Sequence, residues 1–101
     1  MNKKIAPGFR AETIKKINQK HNGNDTETQA NRSLEAFQQL TSLTTQELRQ
    51  DLDIMHPAGR VKELRERGFE IQTHWINYPT ACGKKHRMAR YVYMSTGGGT
   101  A

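Results

Sequence analysis

Residues Thr44 to Trp75 read "TTQELRQDLDIMHPAGRVKELRERGFEIQTHW", and the punctuation of this stretch decides the fold. Thr44 followed by Glu47 is a capping box, with Leu43 and Leu48 at the two positions of a hydrophobic staple, so a helix is expected from Thr45 to Leu52. Pro57 cannot continue that helix. It suits the first turn of a new one, where its missing N–H is not needed. Ala58, Val61 and Leu64 are then the expected buried face. Gly68 stops the helix in a left-handed conformation, with Phe69 placed to fold back on Leu64. The spacing therefore predicts a second short helix, Pro57 to Arg67.

After Gly68 the pattern turns extended. "FEIQTHWIN" and, further on, "RMARYVYM" are rich in β-branched and aromatic residues, and "YPTACGKKH" between them contains Pro79 and Gly83, which predicts a hairpin with a long basic tip. Apolar side chains stand on both parities of each strand, so the pattern leaves the inner face unassigned. Working backwards, Ala30, Leu34, Phe37 and Leu40 recur at the spacing of one helical face, which predicts a helix from Glu27 to Leu40. Residues 1–26 hold Pro7-Gly8, "NGND" and at most a short amphipathic helix from Ala11 to Lys20 on Ile14 and Ile17. A helix of that length is marginal alone, so this block is expected to be a flexible basic arm. The 27–94 segment is the expected domain and 95–101, with "STGGGTA", a flexible tail.

The totals agree with one small domain. The chain has 101 residues, of which 34% are hydrophobic, and its mean hydropathy is −0.91. Sixteen Lys and Arg stand against ten Asp and Glu, for a net charge of +6. The surplus is divided: residues 1–26 carry +4, 27–53 carry −3 and 54–101 carry +5. Positive ends around an acidic middle suit a polyanionic partner. A single cysteine, Cys82, excludes an internal disulfide and fits a reducing cytoplasm. No run approaches the roughly 18 apolar residues of a membrane span, and "MNKK" is followed by no signal core, so the expected localisation is cytoplasmic, away from membranes.

Helix, helix, brief turn, helix and hairpin is the order of a winged helix-turn-helix: an α+β fold of three helices followed by a two-stranded hairpin wing. "HPAGRVKELRERGFEIQTHW" together with "GKKHRMARYVYM" resembles the small helix-turn-helix domain of many bacteriophage and prophage proteins, in which a third helix ending "ELR..G" leads to a wing closing with an "ARY" strand. The resemblance covers about residues 29–94. It implies a winged-helix module and DNA binding, and does not extend to the arm or the glycine tail.

On the third helix, the side opposite Val61 presents His56, Gly59, Arg60 and Glu63. Recognition helices read bases with their N-terminal half, so Arg60 is the candidate for a guanine contact, with Glu63 accepting from cytosine or orienting Arg60. A solvated helix surface, or Arg60 bridging to Asp51 or Asp53, would show the same sequence. Lys62, Arg65 and Arg67 flank the stripe at phosphate height. Lys84, Lys85, His86 and Arg87 are expected at the wing tip, on backbone or minor groove, and Lys3, Lys4, Arg10, Lys15, Lys16 and Lys20 could track phosphates from the arm. Trp75 reads as core or hairpin cover. Cys82 and His86 offer two metal ligands where zinc needs three or four.

Neither a nucleophile elbow nor a phosphate loop is present, so an enzyme, a cofactor and a small-molecule substrate are not expected. The expected partner is double-stranded DNA, bound by a small sequence-specific regulator of transcription of phage or mobile-element type. A homodimer on a two-fold site is compatible with this. An excisionase-like architectural factor uses the same chemistry, and the rival from another class is a winged-helix adaptor that binds protein.

Overall fold

The computed structural model describes residues 8–79 and 81–96. Helix α1 (Phe9–Lys20) and helix α2 (Thr26–Leu40) lead into a short strand β1 (Ser42–Thr44), a single π-helical turn (Glu47–Asp51) and helix α3 (Pro57–Glu66), followed by the long strands β2 (Phe69–Pro79) and β3 (Lys85–Thr96). The sheet is antiparallel with strand order β1-β3-β2. One apolar core lies between helices and sheet, centred on Phe37, Leu43, Leu48, Leu52, Ile54 and Leu64, all fully buried.

The winged helix-turn-helix architecture expected from the sequence is present, with two additions. The first is α1. Residues 8–26, read as part of a flexible arm, instead form a packed helix and a loop: Ile14 and Ile17 enter the core, Arg10 Nη2 donates to Glu47 Oε2 at 2.9 Å and to the Ser42 carbonyl at 3.1 Å, and Asn18 Nδ2 donates to the Asp51 carbonyl at 2.9 Å. A helix too short to persist alone is held by tertiary contacts. Lys3 and Lys4, and the tail from 97 onwards, lie outside the described residues.

The second is β1, where a hairpin alone was expected. Leu43 pairs across from Tyr91 and is fully buried, so the residue read as a staple also belongs to a strand. Three residues are too few to show a period of two.

Start signals were read correctly and helix types less so. Asp25 caps α2, accepting from the Thr28 N–H at 3.2 Å and from its hydroxyl at 2.6 Å. The capping box closes reciprocally: the Thr44 N–H donates to Glu47 Oε1 at 2.9 Å, and the Glu47 N–H to Thr44 Oγ1 at 3.1 Å. The turn it starts is not the expected α-helix to Leu52. The Leu52 N–H reaches back five residues to the Glu47 carbonyl at 3.1 Å, and the Ile54 N–H six to Leu48 at 2.9 Å. This widened end lets Leu48, Leu52 and Ile54 all face the core, after which Asp53, at φ 55°, turns the chain.

In α3 the buried face is Pro57, Val61 and Leu64, not Ala58, which is exposed. Pro57, Val61 and Leu64 stand at i, i+4 and i+7, and Ala58 falls just outside that row. Gly68 ends the segment at φ 102°, and Phe69 packs on the core against Tyr93, ring centroids 6.5 Å apart.

Two polar residues of α2 lock the connections on either side. Arg32 is 3% exposed. Its Nε donates to the Leu52 carbonyl at 2.7 Å, Nη1 to His21 at 2.6 Å and Gly23 at 2.8 Å, and Nη2 to Asp53 at 3.0 Å. Gln29 donates to the Asn24 carbonyl at 2.7 Å and accepts from the Met55 N–H at 3.2 Å. Burial pushes the Arg32 guanidinium below its ordinary pKa, and Asp53 acts against that shift. Arg32→Met leaves four carbonyls without their donor, and is expected to lower the unfolding free energy by about 3 kcal/mol in chemical denaturation. Lysine, a point charge with three donors, restores only part of it.

Glu35 meets two nitrogen partners, His21 Nε2 at 2.7 Å and Lys20 Nζ at 3.2 Å. The His21 hydrogen bond, then that of Lys20, holds its carboxyl below the ordinary value of 4.5. A depressed folded value contributes stability that is present above the ordinary carboxylate range and is lost as pH falls through the folded value. Unfolding followed across the acid range should therefore show Glu35→Gln with a shallower loss of stability than wild type.

Candidate nucleic-acid interface

Helix α3, the expected recognition helix, shows its N-terminal half to solvent, with His56 and Ala58 exposed and Gly59 half-exposed. His56 sits at the N-cap without a side-chain cap bond, and the first turn holds no acid. A Cβ built on Gly59 would meet only the His56 Cβ, at 3.6 Å. Packing inside the protein therefore does not demand glycine there.

The cations of α3 are engaged within the chain. The Arg60 side chain is only 13% exposed and its Nη2 meets Glu63 Oε2 at 3.0 Å, while Arg60 Nε and Glu63 Oε1 are buried without partners among the described residues. Arg60 thus pairs along its own helix, not with Asp51 or Asp53. Lys62 lies 2.8 Å from Glu66, whose hydrogen bond raises the lysine pKa. Arg65 donates to the Ile71 carbonyl and to Thr73 Oγ1, each at 2.8 Å, and Arg67 meets Glu27 at 2.9 Å. The Lys62–Glu66 and Arg67–Glu27 pairs are exposed and hold weakly.

On the wing, Lys84 belongs to the turn, but Lys85, His86 and Arg87 are residues of β3 facing Pro79, Tyr78 and Asn77 of β2. The hairpin is longer and its tip tighter than the sequence suggested. Strand pairing also settles which side faces inward: Ile71, Thr73 and Trp75 share one face with Arg87, Ala89 and Tyr91. At the near end that face is core. At the far end it emerges from under the helices, and Trp75 is 60% exposed. The Arg87 guanidinium stands 4.8 Å from the Trp75 ring centroid; on the opposite face Tyr78 and His86 meet edge to face at 6.2 Å.

This far end of the wing approaches the π turn and the start of α3, enclosing a groove of about 520 Å3 lined by residues that include Gln46, Arg49, Gln50, Ala58, Trp75 and Arg87. Among the described residues no carboxylate lines it. Arg49 is exposed, and it forms no ion pair among the described residues. A second groove, about 890 Å3 between α1 and the π turn, mixes Arg10 and Lys15 with Glu47 and Asp51. Of the expected arm residues, Arg10 is tied to Glu47, Lys20 pairs with Glu35, and Lys15 and Lys16 are exposed on α1. Gln46, Arg49 and Trp75, which line the groove beside the wing, were not among the residues expected from the sequence to meet DNA. The first two precede the recognition helix, and the tryptophan was assigned to cover. The parity of Trp75 with Ile71 carried the needed signal, once the inner face is known.

The chain belongs to the winged helix-turn-helix domain family, whose model matches residues 28–96, more than half its length. Helix α1 lies before the matched segment and packs onto it. No curated protein and no solved structure matches the chain. Among the described residues no helix is long and apolar enough to cross a membrane, and no three His, Cys, Asp or Glu gather as a metal would require.

Glycine in a helix costs about 1 kcal/mol relative to alanine. Gly59→Ala should therefore stabilise the fold by up to about 1 kcal/mol, seen as a raised midpoint of thermal or chemical unfolding.

Proposed function

We propose that this chain binds double-stranded DNA as a small sequence-specific regulator of transcription, of phage or mobile-element type, acting in the cytoplasm. The observation that carries the reading is the acid-free groove between the wing and the start of α3, rimmed by Arg49 and Arg87, within a winged helix-turn-helix domain.

In this reading α3 enters the major groove by its uncapped N-terminal end. Gly59 lets the backbone approach the bases. Arg60, preset by Glu63, addresses guanine, and His56 lies beside it. Lys62, Arg65 and Arg67 exchange their in-chain partners for phosphates. Lys84, Lys85, His86 and Arg87 lie along the adjacent backbone or minor groove, and Lys15 and Lys16 add charge from α1. A dimer would place two such heads on a two-fold site.

The adaptor reading has one observation in its favour: every cation of α3 already has a partner in the chain. Fluorescence anisotropy with labelled duplexes across a salt series separates the two. Arg60→Ala is expected to cost roughly 1–3 kcal/mol on the preferred sequence and to relax specificity there. Lys85→Ala is expected to weaken all duplexes alike and lower the salt slope by about one. Gly59→Ala, more stable, should bind less tightly. Wild-type protein that binds no duplex at low salt would leave the adaptor reading standing.

A further inference from the structure

Resting on the DNA reading, we infer that the groove between the π turn, the start of α3 and the wing is a seat for one unpaired nucleotide, so that the protein prefers DNA with a base out of the stack. The inference begins with Trp75. A tryptophan 60% exposed on the inner face of a wing has no role in the core, which ends at Ala89 and Tyr91 on the same face. Its ring borders the groove, and Arg87 stands over it at 4.8 Å. An aromatic plane beside an arginine is a stacking platform, and because every base has a π-face, stacking is tolerant of sequence.

The other walls supply what the rest of a nucleotide requires. Gln46 Nε2 donates to Gln50 Oε1 at 3.2 Å, which leaves Gln46 Oε1 as an acceptor and the Gln50 amide as a donor. That pair matches the mixed donor and acceptor edge of a base. Arg49 and Arg87 are the lining cations, available to a phosphate, and no carboxylate opposes it. Pro57, Ala58 and Ala89 add apolar surface against which a ring can lie. At about 520 Å3 the groove falls within the roughly 300–1,000 Å3 range of small-ligand sites. A stacked duplex presents no base face to Trp75. A mismatched, bulged or single-stranded position does, at the smallest unstacking cost.

The test compares three fluorescein-labelled DNAs of the same flanking sequence: a fully paired duplex, the duplex with a one-nucleotide bulge, and the single strand. Anisotropy reads affinity through the label. The emission of Trp75, the only tryptophan in the chain, reads stacking independently. The bulged duplex is expected to bind roughly tenfold or more tightly than the paired one and to quench Trp75. Trp75→Ala should abolish the preference, bringing affinity for the bulged duplex down to that for the paired one; Gln46→Ala should reduce the preference. Single strand that binds as tightly as the bulged duplex, with the same quenching, also supports the seat.

Equal affinity for bulged and paired duplex, with equal Trp75 emission in both complexes, overturns the inference while leaving duplex binding intact. Binding to none of the three overturns the DNA reading and the seat together. The emission measurement uses wild-type protein, so it decides even if a variant fails to fold.

Discussion

Arg32 is the constraint on which the rest of the molecule depends. A buried guanidinium is hydrogen-bonded by four backbone carbonyls. Two belong to the loop before α2, and two to the end of the π turn, where the partial negative charge of a helical C-terminus collects. One side chain therefore fixes how α1 returns to α2 and where the turn of the helix-turn-helix begins. Gln29, one helical turn earlier, repeats the arrangement with Asn24 and Met55. The start of α3 is anchored by these bonds to the segment before it, and its short apolar face offers Pro57, Val61 and Leu64 to the core.

Charge is distributed unevenly over the surface that results. Helix α3 keeps Arg60, Lys62 and Arg65 on partners within the chain. The groove beside it gathers arginine, glutamine and aromatic side chains without an acid. The two surfaces meet at the start of α3.

Local signals explain what the sequence made legible. Thr44 with Glu47, Pro57 and Gly68 act on their own neighbours, and each marks its boundary in the structure within a residue or two. What escaped depends on contacts far apart in the chain. Helix α1 is stabilised by Arg10 and Asn18 reaching residues more than thirty positions away. Strand β1 exists because β3 lies beside it. Arg32 reads as one more cation until its carbonyls are brought together. The inner parity of the hairpin, ambiguous along either strand, is set by which residues Leu43 and Leu64 cover. The Arg60 contact was expected to point outward, and local pairing with Glu63 draws it against the helix.

The unequal support of β3 gives the wing a mechanical character. From Arg90 to Val92 the strand is flanked on both sides, by β1 and β2; from Lys85 to Ala89 it has β2 alone. The hairpin is thus a cantilever, clamped at the core end and overhanging at the other. Amide protons at the clamp exchange only through large-scale opening, whereas those of the overhang exchange through local fraying. A ligand gripped by the overhang would stiffen it, shifting the boundary between slow and fast exchange outward along the strand.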